Sequence, residues 1–418
     1  MLARHTIRFL FIALAATNAA HAASGPPLTM EEAVAIAEGR SARLSAQSAA
    51  VQVAGQMAAR AGELPDPKLK FGLENVPVSG TDAWSLSRDF MTMKRIGVMQ
   101  ELVNGDKRRA RADRATSERG VEQAVLRLEQ ANVARETAMA WYEVLHATRA
   151  LEVVAEVVNA VQLQQETVRA AIAGGRASAA DGFMVATAFE EARDEQIEQE
   201  RVLARARIQL AQFIGADAER PIAAGPDTSR LSRPVEALLA SLDAHPTLAV
   251  FDAREQLVKS DIALAHSTKK PDWGVELSYG QREPYYSNML TLMFSVDLPV
   301  FAASRQDRDI AAQEAQLDRL RAQREDARRS YETLVRGYAV DWETWNRRVQ
   351  RFETVLIPLA EERVKAASAS YRGAKGTLDP VIEAKKREAE TRMKLHNALL
   401  ERGRAWSSLN FLVSKEAP

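Results

Sequence analysis

The sequence predicts a mainly α-helical, internally duplicated chain with a small β part, in which long coiled-coil helical hairpins continue from four short strands. Three observations carry this prediction. A strand-opening motif occurs twice, as Leu64-Pro65-Asp66-Pro67-Lys68-Leu69-Lys70-Phe71-Gly72-Leu73 and as Lys270-Pro271-Asp272-Trp273-Gly274-Val275-Glu276-Leu277-Ser278-Tyr279. Gly174-Gly175-Arg176-Ala177-Ser178-Ala179-Ala180-Asp181 returns as Arg372-Gly373-Ala374-Lys375-Gly376-Thr377-Leu378-Asp379, so the repeat is half the chain. Between the motifs run two stretches, 107–173 and 305–372, almost free of helix breakers. The repeats divide the chain as 23–220 and 221–418.

Residues 1–22 read as a secretory signal peptide: Arg4 and Arg8, the apolar run Phe9 to Ala16, then the small-residue site Ala20-His21-Ala22. The run is shorter than the ~20 residues a spanning helix needs. After it no stretch approaches a transmembrane helix, so any insertion into a membrane must use strands. Thr29 to Gly62 is an amphipathic helical stretch leading into a strand hairpin at about 66–102. There Leu69, Phe71 and Leu73 alternate with Lys68, Lys70, Gly72 and Glu74, and Ile96 and Val98 continue the pattern. The long helix 107–173 turns at a tip, 174–181, and a return helix reaches Phe213.

The second copy repeats this order. Leu248 to Lys269 is helical, and the hairpin at about 272–299 alternates Trp273, Val275, Leu277 and Tyr279 with polar or small residues, then Leu290, Leu292, Phe294, Val296 and Leu298 likewise. In the helix 305–372, Leu317, Leu320, Ala327, Tyr331, Leu334, Tyr338, Trp345, Val349, Phe352, Leu356 and Leu359 form one 3.5-residue seam. Pro358 removes a backbone donor and is expected to bend this helix or mark an irregularity. The tip 373–379 follows, and a return helix runs from Thr377 to Val413. At ~1.5 Å per residue each long helix is roughly 100 Å long.

The strand motifs lie 206 positions apart (66 to 272) and the tip motifs 198 apart (181 to 379), while Lys107 and Arg305 already fit the shorter spacing. The length difference therefore falls inside the hairpins, with the longer loop, around Asn75 to Met91, in the first. The strand that ends Gln100-Glu101-Leu102 in the first copy ends Asp297-Leu298-Pro299 in the second, so the strand-to-helix junctions are expected to differ.

One apolar and one polar face per hairpin suit strands of ~9–11 residues crossing a bilayer around a wet lumen. A half-buried sheet in a soluble domain alternates equally well. Four strands cannot close around a polar interior, since even the smallest single-chain barrels use eight. A membrane reading thus requires an oligomer, its strand barrel continued by a helical tunnel.

Composition narrows the function. With 56 basic and 56 acidic residues the formal charge is zero, and no basic stripe interleaved with aromatics is present, so nucleic acid is not an expected partner. The absence of cysteine removes disulfides, thiolate metal sites and cysteine nucleophiles. His146, His245, His266 and His396 are scattered, and Gly174-Gly175-Arg176 lacks the end of a phosphate loop. No catalytic, cofactor or metal site is expected, and Met91 and Met93 read as apolar residues at the base of a strand or loop rather than as Cu(I) ligands.

The duplicated layout, paired hairpins and Gly-containing tips resemble the TolC-like outer-membrane efflux proteins over nearly the whole mature chain. Leu64 to Leu69, Glu74-Asn75-Val76-Pro77-Val78, Met91-Thr92-Met93 and Ile96-Gly97-Val98-Met99-Gln100-Glu101 look most like the heavy-metal, CusC- and CzcC-like, branch. The resemblance implies a homotrimer with a 12-stranded barrel in the outer membrane of a Gram-negative bacterium and a periplasmic α-barrel of helices. It implies an exit duct for heavy-metal cations, served by a periplasmic adaptor and a proton-driven inner-membrane transporter of the resistance-nodulation-division type. Gly175, Asp181, Gly373, Gly376 and Asp379 would form the adaptor-docking tips, with Asp181 and Asp379 as candidate entrance-gate residues. Leu69, Phe71, Leu73, Trp273, Val275, Leu277, Tyr279, Leu292, Phe294 and Val296 would face outer-membrane lipid. A drug-efflux or type I secretion duct, and a periplasmic coiled-coil scaffold, are the alternatives. Many relatives carry a lipidated cysteine after the signal peptide; this chain has none.

Overall fold

The computed structural model describes residues 25–373 and 375–411. The signal segment and Val413 lie outside them. In chain order the elements are α1 (Met30–Arg40), α2 (Ala42–Arg60), β1 (Lys68–Glu74), β2 (Met93–Leu102), α3 (Gly105–Ala173), α4 (Ala179–Ile214), α5 (Val235–Ala240), α6 (Pro246–Ser267), β3 (Trp273–Gln281), β4 (Met289–Val296), α7 (Gln306–Arg351), α8 (Ile357–Arg372) and α9 (Asp379–Asn410). They form two compact units, and each unit draws segments from both halves of the chain.

One unit comprises Ser45–Leu128 and Pro246–Arg329 and contains the sheet, an antiparallel β1-β2-β3-β4 array. Its ladders pair Phe71 with Ile96, Ile96 with Tyr279, and Tyr279 with Leu290. β1 and β4 are the edges. β1 has 7 residues and β4 has 8, shorter than the sequence reading expected. The first hairpin loop (75–92) is far longer than the second (282–288), as the repeat spacing required. The junctions also differ: two residues separate β2 from α3, whereas β4 reaches α7 through Asp297 to Arg305, with Phe301 at φ 80° and a 3-10 turn at Ala302–Ser304. The register places Val296, rather than Asp297, at the position of Gln100.

The second unit holds the described residues up to Leu44, Glu129–His245, and those from Ser330 onward. The sequence reading left 214–245 unassigned. In the structure it forms short turns and a strap bound by indole N–H groups. Trp342 Nε1 donates to the Thr228 carbonyl (2.9 Å), Trp406 Nε1 to Arg230 (2.8 Å), and Trp141 Nε1 to Leu28 (3.0 Å), beside the Leu28–Ile222 bridge. Arg220 reaches both Glu32 carboxylate oxygens at 2.9 and 3.1 Å. Irregular backbone is thereby satisfied next to helices, as burial demands.

The seam of the second long helix departs from the expected one. α7 gives way at Phe352–Leu356 to a π-turn, in which the Ile357 N–H donates to the Phe352 carbonyl, and α8 begins just before Pro358. The ring thus sits where a wider turn already replaces the regular ladder. A π-turn inserts one extra residue, so the packed face moves on by one. Before it the packed face includes Tyr331, Val335, Tyr338, Trp342, Trp345, Val349 and Phe352; after it, Ala360, Val364, Ala367 and Tyr371. Leu359, expected in the seam, is 62% exposed, and Leu334 is exposed beside a fully buried Val335. α9 starts at Asp379 rather than Thr377 and ends at Asn410.

Candidate functional site: a two-faced sheet and a pair of helical tips

Alternation along the strands sorts the sheet into two surfaces. Leu69, Phe71, Leu73, Trp273, Val275, Leu277, Tyr279, Leu292, Phe294 and Val296 all lie on one face, joined there by Ile96, Val98 and Leu290. Phe71 is 82% exposed, Leu290 73% and Phe294 62%, so this apolar surface is left uncovered by the described residues. Among the described residues its one charged side chain is Lys94, at the loop end beside Leu73 and Gln281.

The opposite face is an ion-paired network. Arg95 donates to Glu74, to Glu276 (3.0 Å) and to the Ser278 hydroxyl (2.7 Å), while Lys70 meets Glu276 at 2.6 Å. Lys68 pairs with Glu101. Lys68, Lys70 and Arg95 thus balance Glu74, Glu101 and Glu276. These charges cancel, so the surface carries no net sign.

At the base of the sheet, Asp272 of the repeated Pro-Asp motif accepts from the Asn104 backbone N–H (2.8 Å) and from Lys107 Nζ (2.7 Å). The motif therefore ties the start of the second hairpin to the first turns of α3. Asp66 and Arg305 are both exposed.

The tips turn by different means. Gly175, at φ +68°, ends α3; the Arg176 N–H bonds back to the Ala171 carbonyl (2.8 Å) in a Schellman-type closure. Ser178 then caps α4 with a complete capping box: the Asp181 N–H donates to the Ser178 hydroxyl, and the Asp181 carboxylate accepts from the Ser178 N–H (2.8 Å) and hydroxyl (2.7 Å). The Ser178 hydrogen bonds hold the Asp181 carboxyl below its usual range.

The second tip does not repeat this chemistry. Gly373 sits at φ −79°, and Gly376 is not among the residues of positive φ. A side chain at Gly376 would meet Ser370 Oγ at 2.8 Å, so that hydroxyl would have to turn aside. Leu378 occupies the cap position of α9 without a side-chain cap bond, and Asp379 falls inside the first turn, beside Pro380. Asp181 therefore takes part in a helix cap and Asp379 does not.

Sequence reading missed the residue that joins the tips. Leu378, 2% exposed, packs in one cluster with Val161 and Val168 of α3, Val185 of α4 and Val381 of α9. A leucine between glycines and a proline carried no periodic signal. Folding also brings together His146 and His396, whose ring centroids lie 6.4 Å apart. Burial pushes His146 down to about 4, aided by His396, Arg402 and Arg149, and lowers His396 as well. Among the described residues no group of three or more His, Asp or Glu is arranged to hold a metal. No helix among them is long and apolar enough to cross a membrane.

Comparison of the fold decides its class. The chain aligns with CusC, for which transmembrane channel formation has been described, at TM-score 0.73 and 15% identity, covering 92% of each chain. It aligns with the outer membrane protein VceC of Vibrio cholerae at TM-score 0.72 and 17% identity over 92% of this chain and 94% of that one. The CmeC outer membrane channel of Campylobacter jejuni gives 0.76 and 9% identity over 93% and 87%. The fold is that of the outer-membrane channels. No protein-family model and no curated protein matches the sequence. The likeness thus resides in the backbone, from the two hairpins to the two tips.

Proposed function

We propose that this chain is one subunit of an outer-membrane exit duct: a homotrimer whose 12 strands form a barrel and whose helices form a periplasmic tunnel, a conduit rather than an enzyme. The observation that carries the proposal is the two-faced sheet with two open edges on a fold shared end to end with outer-membrane channels. Its apolar face, Leu69 through Val296, would meet lipid. The reverse orientation would put Lys68, Lys70 and Arg95 into hydrocarbon, at roughly 2–4 kcal/mol for each cation near the midplane. Lys94, at the loop end of the apolar face, would sit at headgroup level, where that cost fades. The charge-balanced face would line the lumen and pass solutes without strong selection by sign.

In this reading the helical tips are the periplasmic entrance, docking an adaptor that connects to a proton-driven inner-membrane transporter. Gly175, Gly373, Gly376 and the Leu378 cluster shape the docking surface, and Asp181 and Asp379 are the gate candidates. Heavy-metal cations are the proposed cargo, supported by the CusC-like residues of the first hairpin. Transport is passive in the duct, with energy supplied by the partner pump.

Fractionation is the first test: the protein should remain in outer membranes, run as a heat-sensitive oligomer and conduct in planar bilayers. Release with soluble periplasmic contents would overturn the proposal in favour of a scaffold. Deletion of the gene should sensitise cells to Cu, Ag, Zn, Co, Cd or Ni salts; sensitivity to dyes, detergents and antibiotics alone would refute the metal cargo.

A further inference from the structure

The two hairpins have the same internal register. Phe71 faces Ile96 in the first; Leu277, 206 positions later, faces Leu292, which lies 196 positions after Ile96. Lys68 with Met99 and Gly274 with Ser295 obey the same two shifts. The shifts therefore carry β1 onto β3 and β2 onto β4. Between the hairpins, the β2-β3 ladder pairs Val98 with Leu277, Met99 with Glu276 and Glu101 with Gly274. Among the described residues this ladder has no counterpart, because β4 and β1 are the free edges.

We infer that the missing counterpart is made between copies, with β4 of one chain adding to β1 of the next in a register the structure already specifies. Applying the two shifts to the β2-β3 ladder places Phe294 opposite Phe71 of the next copy, and Ser295 opposite its Lys70. One step beyond the strand, Asp297 comes opposite Lys68. This inference rests on the duct reading above and names the contacts of its assembly.

Three features support a second copy as the occupant. The strand directions alternate, so β4 meets β1 of the next chain antiparallel, as every pair in the sheet does. Four strands cannot close on themselves, and open edges leave rows of unpaired N–H and C=O groups that another chain of the same kind satisfies. The register also produces sensible pairs on both faces: aromatic opposite aromatic on the apolar face, and a carboxylate opposite an ammonium on the charged face. A one-residue slip would turn each of these to the wrong side.

The same operation applies to the anchor at the base of the sheet. Asp272 clamps the start of α3 through Lys107 and the Asn104 N–H. Its counterpart Asp66 and the counterpart of Lys107, Arg305, are both exposed and make no ion pair among the described residues. Asp66 of one copy thus reaches Arg305 of its neighbour, an interchain copy of the Asp272–Lys107 pair. Each interface is head-to-tail and repeats until the ring closes.

The chain has no cysteine, so paired cysteines report the register directly. Full-length protein in outer membranes would carry Phe71→Cys with Phe294→Cys, or Lys70→Cys with Ser295→Cys, one pair for each face because close and wide ladder positions alternate. Shifted controls combine Phe71→Cys with Leu292→Cys, and Lys70→Cys with Met293→Cys. Under mild oxidation at least one in-register pair should give covalent dimers and trimers with at least ten times the yield of its shifted control. Oligomers that cross-link equally or better through the shifted pairs, or through none, would overturn the register and leave the duct standing. Protein that is monomeric in the membrane would overturn both. Separately, Asp66→Arg and Arg305→Asp should each lower the temperature at which the oligomer dissociates, and the double exchange should restore it; additive loss in the double variant would remove the ion pair.

Discussion

Replacing Leu378 by alanine tests whether the two tips share one core. The side chain is 2% exposed and packs against Val161, Val168, Val185 and Val381 from three helices. Leucine-to-alanine changes at such sites cost about 2–5 kcal/mol, through lost transfer energy and the cavity left behind. A tip can partly collapse around the gap, which favours the lower half of that range. A loss of about 3 kcal/mol corresponds to roughly a hundredfold rise in local opening, at 1.4 kcal/mol per tenfold. Hydrogen exchange should therefore accelerate by about that factor at 376–385 and, importantly, also at 165–172 and 182–188 on the other tip. Leu378→Met, close in volume, should cost less than about 1.5 kcal/mol and keep most of the protection. Acceleration confined to the first turn of α9 would refute the shared core. It would mean that each tip holds its own turn, and that a disturbance at one does not reach the other.

Three further outcomes are expected. Ser178→Ala should accelerate exchange at the start of α4 while leaving channel ion selectivity unchanged, whereas Asp181→Asn, which keeps the acceptor and loses the charge, should alter selectivity only if Asp181 serves as a gate. Because the Asp181 carboxyl is held below its ordinary value, protection of that turn should be complete above pH 4 and fall only as acid protonates it; loss beginning near neutrality would contradict the cap. His146 is depressed from 6.5 to about 4, so the unfolded chain binds the extra proton in that interval, and stability to denaturant should decline from pH 6.5 toward 4 by up to about 1.4 kcal/mol per unit, with the decline shallower in His146→Gln. Deleting Thr354 from the π-turn should restore an α-helical step and rotate Ala360, Val364, Ala367 and Tyr371 out of their packed face; proteolysis at the second tip should rise sharply, and unchanged resistance would argue against the register shift.

Much of the architecture is readable from residue order because it depends on local chemistry. Alternation over Trp273 to Tyr279 specifies a two-faced strand whatever it packs against, and Gly175 marks a left-handed turn that other residues adopt only with strain. Repeat spacing located the long loop, since inserted residues must leave the ladder. The seam beyond Phe352, through Leu359, was misread for an equally physical reason. A heptad pattern counts residues, but a π-turn changes the angle each residue advances, and Pro358 announced an irregularity without revealing that it adds one position to the face. Asp181 and Asp379 looked alike in sequence and differ in structure because Ser178 supplies a cap partner to one, whereas the other tip has Gly376 three residues before the aspartate and Leu378 at the cap.

By itself the sequence determined the elements and their two-fold repetition, since helix, strand and turn preferences act over a few residues. Tertiary structure alone decided the associations. It joined His146 to His396, bound the 214–245 strap to Trp342 and Trp406, gathered Leu378 with the valines of the opposite tip, and left β1 and β4 as free edges. Those outcomes depend on pairs separated by tens to hundreds of residues, for which no local periodicity exists. The ladder registers, once visible, turn the repetition in the sequence into a statement about how one copy meets the next.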